Sequence, residues 1–246
     1  MPSRAAATLC CSALLVLAGC LGGGAGGYEM SEREQQLKER ATGAVPAVDS
    51  YRVDGEISVS VADRGSVSGS IDGVIDRADR RAKVTVDLRG AASVEATTYI
   101  VNDTAYVNAR NVWRTRDVAD RNLWDRNAQL ERQRELFEAA AFELRGNATV
   151  EGERVREVRL HVPEEKYDEV RELSQAGAAD GEITDLTYTL YLDAETDRPR
   201  RVAVDMSMRV DGQDADASVT MTFSEFGENV SVTVPEEAET AVGASG

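Results

Sequence analysis

From Tyr51 onward, apolar side chains recur at every second position, the period of a strand with one buried and one wet face. Tyr51, Val53, Ile57, Val59 and Val61 alternate with polar residues. Val67, Ile71 and Ile75 continue the alternation after a turn at Asp63-Arg64-Gly65, and Val84, Val86 and Leu88 form a third strand. Residues 94–101 and 104–107 pair across Asn102-Asp103, two residue types that tolerate the positive φ of a tight hairpin. Five strands in succession with short turns predict an antiparallel meander.

The period then changes. Leu123, Leu130, Phe137 and Leu144 recur at sevens, and Trp124, Leu136, Ala140 and Ala141 widen the stripe. Arg126, Glu131, Arg132, Arg134 and Glu135 occupy the remaining positions, so the spacing predicts an amphipathic helix packed on the sheet. Val158, Leu160 and Val162 return to strand, within a run that starts at Val150. Pro163 opens a second helix at its favoured first-turn position, with Glu164 and Glu165 at the positive helix end. Tyr167, Val170 and Leu173 form its apolar side, and Gly177 and Gly181 end it. Four strands follow: one through Leu186, Tyr188, Leu190 and Leu192, one from Val202 to Val210, one through Val219, Met221 and Phe223, and one through Val230, Val232 and Val234. Asp193 to Arg198 and Asp211-Gly212 are the intervening turns.

Upstream, Glu29 to Ala41 reads as a short first helix. The fold class expected is α+β: a strongly curved antiparallel sheet of about ten strands, an incomplete β-barrel, with two helices covering the concave face. In such a fold Leu130, Phe137, Leu144, Met206, Met208, Met221 and Phe223 are candidate cavity lining, since methionine suits adaptable apolar pockets. The same residues fit an ordinary filled core.

The N-terminus changes the picture. Arg4 precedes an apolar and small-residue run from Ala5 to Leu17, and Leu17-Ala18-Gly19-Cys20 places small residues at a cleavage site before a cysteine. That order is a lipobox: a lipid thioether forms on the Cys20 thiol and a peptidase cuts just before it. The apolar run is shorter than the roughly 20 residues needed to span a bilayer. The expected organisation is a signal peptide over 1–19, and a lipidated Cys20 with glycine-rich tether and short helix over 20–46. A barrel domain over 47–235 and an acidic, disordered tail over 236–246 complete it. Cys10 and Cys11 lie inside the signal, so the mature domain is held by its core, without disulfides.

Charge and composition narrow the chemistry. The chain has 44 acidic and 28 basic residues, a net charge of −16. Lys38, Lys83 and Lys166 are its only lysines. Dispersed carboxylates with so little lysine resemble proteins of extremely halophilic archaea, where the Debye length falls to about 3 Å or less. An acidic chain of this kind lacks the basic face that nucleic acid requires. His161 is the only histidine, and no Gly-x-Ser-x-Gly elbow accompanies it. It reads as a structural residue, and no enzyme activity, cofactor or metal is expected. Asn102, Asn147 and Asn229 head N-x-Ser/Thr sequons, candidate glycosylation sites on an exported chain.

Four stretches carry a family resemblance. They are SYRVDGEISVSV (Ser50 to Val61), TTYIVNDTAYVNARNVW (Thr97 to Trp113), TYTLYLDAETDRPRRVAVDM (Thr187 to Met206) and VTMTFSEFGENVSVTVPEE (Val219 to Glu237). The chain resembles the LolA and LppX/LprG-like superfamily of incomplete-barrel lipoproteins over roughly Ala47 to Val234. The resemblance implies a lipidic or other hydrophobic ligand between sheet and helices, and with the lipobox the expectation is a monomer tethered to the outer face of the cytoplasmic membrane. The alternative is a cell-surface structural or protein-interaction module with a filled core.

Overall fold

The computed structural model describes residues 28–44, 49–62, 65–90, 93–121, 123–124, 136–168, 170, 182–210, 212–228 and 230–240. The signal, Cys20, the glycine-rich tether, Leu130 and Asn229 lie outside them.

Helix α1 (Glu32–Ala44) is followed by β1 (Ser50–Val61), β2 (Gly65–Asp76), β3 (Arg81–Arg89), β4 (Val94–Val101), β5 (Thr104–Ala109) and β6 (Val112–Asp117). Then come β7 (Ala141–Val150), β8 (Glu153–His161), β9 (Glu182–Asp193), β10 (Pro199–Val210), β11 (Gln213–Ser224) and a single turn of helix, α2 (Glu236–Glu239). The strands form one sheet of 11, in the order β6-β5-β4-β3-β2-β1-β11-β10-β9-β8-β7, every pair antiparallel. The sheet is therefore two meanders, β1–β6 and β7–β11, joined where the first strand pairs with the last. It does not close: β6 and β7 are its edges, as an incomplete barrel requires.

Two strands exceed the sequence expectation. β6 follows β5 through Arg110 and Asn111, whose φ values of 52° and 61° are those of a two-residue primed hairpin turn. β7 takes over residues assigned to the first amphipathic helix. Only 136–139 are helical in that stretch of the described residues, and Leu144 is a strand residue. Phe142 and Leu144 alternate with Glu143 and Arg145, so a short apolar run fits both periods. Pairing with β8 through the Glu151-Gly152 turn (φ 51° and 88°) decides for strand.

Most of the two expected covering helices, 125–135 and 171–181, lies outside the described residues. Of the second, the described residues show a 3-10 turn at Glu164–Lys166 and helical Tyr167, Asp168 and Val170. Val230 to Val234 is not a strand either, because β11 already has neighbours on both sides, β1 and β10. The segment instead passes the strand ends. Ser50 Oγ donates to the Glu228 carbonyl (2.7 Å), Arg81 donates to the Val232 carbonyl (3.0 Å), and α2 packs on β5 and β6 with Ala238 fully buried. The described chain continues through α2 to Thr240, and the rest of the tail expected over 236–246 lies outside the described residues.

The main core sits on the second meander. Leu136, Phe137 and Phe142 pack with Val158, Leu160, Leu190, Leu192, Val204, Met206 and Met208 beneath Leu37 and Ala41 of α1. Phe137 meets Phe142 edge to face, with ring centroids 5.6 Å apart.

Candidate functional site: the apolar face of the sheet

Cross-strand partners in an antiparallel pair share a face, so the register identifies one continuous apolar surface. In the first meander it carries Val53, Gly55, Ile57 and Val59 of β1 and Val67, Gly69, Ile71 and Gly73 of β2. Val84, Val86 and Leu88 of β3, Ala96, Thr98 and Ile100 of β4, and Ala105 and Val107 of β5 continue it. It runs on across β11 (Ala217, Val219, Met221, Phe223) and β10 (Val202, Val204, Met206, Met208) to Tyr188 and Leu190 of β9.

Along β1 to β5 that surface holds no charged residue, yet most of it is only half-buried. Ile57, Val59, Val84, Val86, Leu88, Ile100 and Val107 are all of intermediate exposure. Glycine shapes it. A Cβ on Gly69 would lie 2.5 Å from the Asp87 carbonyl oxygen and 2.6 Å from Leu88 Cδ2, and one on Gly73 would lie 2.8 Å from Val53 Cγ1. Bare backbone at these positions lets Val53 of β1 and Leu88 of β3 lean over β2.

The candidate lining residues occupy the same face but mostly its packed half. Phe137, Met206 and Met208 are buried in the core, Leu144 is half-buried on β7, and Met221 and Phe223 are half-buried on β11 beside β1. Phe223 meets Tyr51 edge-on at 6.1 Å. The less covered positions, Val84, Val86, Leu88, Ile100 and Val107, were not singled out from sequence. Their alternation was visible, but how much of each strand's apolar side is covered is not a property of the strand.

The opposite face is hydrophilic. It has two open grooves, of about 410 Å³ among Glu56, Ser58, Ser68, Ser70, Asp87, Arg89 and Thr220, and about 290 Å³ among Ser58, Ser60, Asp185, Asp205, Ser207, Asp216 and Ser218. Asp54 and Asp72 are direct cross-strand partners on that face, and burial together with the neighbouring carboxylate raises the Asp54 pKa.

α1 closes the β7 edge. Glu34 Oε1 accepts from the Leu144 N–H (2.9 Å), Met30 Sδ from the Phe142 N–H (3.2 Å), and Lys38 Nζ donates to the Glu138 and Ala140 carbonyls (2.7 and 2.9 Å). Unpaired edge groups are thereby satisfied by side chains rather than by another strand. Burial by itself would raise the Glu34 pKa. Hydrogen bonds from Leu144, from the Ser31 hydroxyl and N–H, and from the Tyr28 hydroxyl outweigh it and hold the carboxyl at about 2. The hydrogen bond to Glu34 lifts the Tyr28 phenol to about 12. Arg40 pairs with Asp197 (2.7 Å), which also pairs with Arg156, tying α1 to the β9–β10 turn.

His161 belongs to this same scaffold. Its Nε2 is 2.9 Å from Glu143 Oε2, and its ring stacks on Tyr28 with centroids 4.6 Å apart and planes 5° from parallel. Asn102 lies exposed in the β4–β5 turn with φ 53°, and Asn147 lies exposed on β7. Among the described residues no three His, Cys, Asp or Glu side chains are grouped to hold a metal ion.

The fold is shared with the Mycobacterium tuberculosis lipoprotein LppX, at TM-score 0.55 and 13% identity over 83% of this chain and 100% of that one. It is shared also with LprF from Mycobacterium bovis, at TM-score 0.51 and 17% identity over 85% and 98%. A LolA superfamily protein from Nitrosomonas europaea aligns over 83% of this chain at TM-score 0.31, too distant to bear on the fold. The resemblance expected from the strand motifs is thus found in structure with LppX. No curated protein sequence matches the chain. A family described as a family of unknown function, DUF6612, matches residues 33–242.

Proposed function

The chain belongs to the DUF6612 family, and we propose that it is an exported, lipid-anchored protein that holds a hydrophobic ligand against the apolar face of β1–β5. The observation that carries this reading is the uncharged, half-open surface itself. A soluble domain gains by burying apolar area, at roughly 25 cal/mol per Å². A face kept free of charge over five strands and left partly uncovered has the character of a binding surface. The shared fold with a lipoprotein supports the reading, and the Leu17–Cys20 lipobox supplies the anchor. No described helix is long and apolar enough to cross a membrane. The activity proposed is binding rather than catalysis: His161 is engaged by Glu143 and Tyr28. The location proposed is the outer face of the cytoplasmic membrane.

Two measurements test it. The mature chain isolated from membranes should begin at Cys20 with a lipid adduct, and Cys20→Ala should move the protein to the soluble fraction. Native mass spectrometry with solvent extraction should find an acyl or isoprenoid species at about one per chain. Val86→Asp, at a half-buried site on the open face, should abolish that species while the far-UV spectrum stays unchanged. A clean apo mass, repeated after incubation with host membranes, would overturn the ligand reading in favour of a surface interaction module.

A further inference from the structure

The apolar face of the first meander ends in charge. On β6 the register sets Arg116 opposite Ala105 and Arg114 opposite Val107, so both arginines stand on the apolar face. They are the only charged residues that the strands of this meander place there, and both are exposed. Neither has an acidic partner among the described residues. Three other arginines of this meander do pair with acids, Arg52 with Asp72 and Glu225, Arg80 with Asp103 and Arg89 with Asp87, whereas Arg110 in the β5–β6 turn, like Arg114 and Arg116, has no acidic partner among the described residues. In a chain with 44 acids to 28 bases, two guanidinium groups two positions apart, without an acidic partner among the described residues, stand at the border of an uncharged surface.

Resting on the ligand reading above, we infer that this ligand is a lipid with an anionic head group, whose head is held by Arg114 and Arg116 and whose chain lies across β5 to β1. Two positions along one strand are about 7 Å apart, close enough for two planar donor forks to converge on one phosphate, sulfate or carboxylate. β6 is an outer strand, so the head stays at the water boundary while the chain turns inward. The five strand spacings from β6 to β1 span about 24 Å. One leaflet's hydrocarbon depth is about 15 Å, half the bilayer core, so a single acyl chain fits. Arg110, in the β5–β6 turn, adds positive charge to the same rim, and Asp117 lies on the opposite face beside Thr104.

The test uses one chain with two heads. The delipidated full chain is titrated at pH 8 with cis-parinaric acid, a fluorescent carboxylate, and with its uncharged methyl ester, with inorganic phosphate as competitor. Wild type should bind the acid at least about tenfold more tightly than the ester, and the preference should shrink with added salt. The double variant Arg114→Gln/Arg116→Gln should bind both alike, at the wild-type affinity for the ester. Phosphate alone, lacking the chain, should displace the acid only at millimolar levels. Equal affinity of wild type for acid and ester, or an unchanged preference in the double variant, overturns the head-group assignment while leaving lipid binding standing. Micromolar competition by phosphate overturns the lipid in favour of a free-anion site. Binding of neither probe overturns both readings together.

Discussion

The two meanders are built from the same alternation and end in different states. In β7–β11 the apolar face is packed: Phe142, Val158, Leu190, Leu192 and Val204 are all at most 2% exposed, beneath α1 and residues 136–140. In β1–β6 most of the larger corresponding positions are half-buried, only Val53 and Ile71 among them being buried, and small residues (Gly55, Gly69, Gly73, Ala96, Ala105) stand between them. The edges differ likewise. β7 is capped by Met30, Glu34 and Lys38, whereas β6 presents Val112, 54% exposed, between arginines. One half supplies stability and the other supplies surface, a division that a binding protein can use because a ligand site must be incompletely filled before the ligand arrives.

The division can be broken most strongly from the packed side. Leu190→Ala should cost about 3–4 kcal/mol in denaturant unfolding, against under about 1 kcal/mol for Val86→Ala at an already half-open site. Equal costs would mean that both halves are filled alike.

Next in size is the capped edge. Glu34→Ala removes a buried carboxylate with several donors and should cost about 2–3 kcal/mol. The sign with pH follows from a folded pKa of about 2 against an ordinary 4.5. The contribution of Glu34 is complete above pH 4.5 and is lost as pH falls toward 2. The variant should therefore show less acid destabilisation than wild type over that window. Identical acid curves would place the network outside the fold's stability.

Gly69→Ala tests whether the open half depends on bare backbone. The new Cβ would sit 2.5 Å from a backbone carbonyl oxygen, so a loss of about 1–3 kcal/mol is expected. A Cβ on Gly43, in α1, meets nothing within 4 Å, and Gly43→Ala should instead stabilise by up to about 1 kcal/mol. The smallest perturbation is none at all. Amide exchange of the unaltered protein should be slowest in β8–β11 and faster in β3–β6, because local opening follows the density of buried contacts. Ligand binding should narrow that gap.

Much of this was legible in advance. The alternation placed β1–β5 and β8–β11, and Asn102-Asp103 and Asp193–Arg198 were visible as turns. What failed had local causes. Leu144 satisfied a seven-residue spacing with Phe137 and a two-residue one with Phe142 at once, and only the β8 hairpin decides between the two periods. Val230–Val234 alternates like a strand, but β11, from which it follows, is already paired on both sides with β1 and β10. β6 carried a turn signal in Asn111, yet Arg114 and Arg116 stood where the pattern called for apolar residues. The departure that hid the strand is the one on which the proposed head-group site rests.

By itself the sequence determined which side chains share a face, because strand parity is a backbone property that needs no neighbours. Its alternation likewise set the chain into successive antiparallel hairpins. Tertiary structure alone decided that β1 pairs with β11, that α1 closes the β7 edge, and that one half of the apolar face is packed while the other stays half-open. Those outcomes depend on contacts between residues more than a hundred positions apart, such as Lys38 with Ala140 or Val53 with Phe223. No local period encodes them.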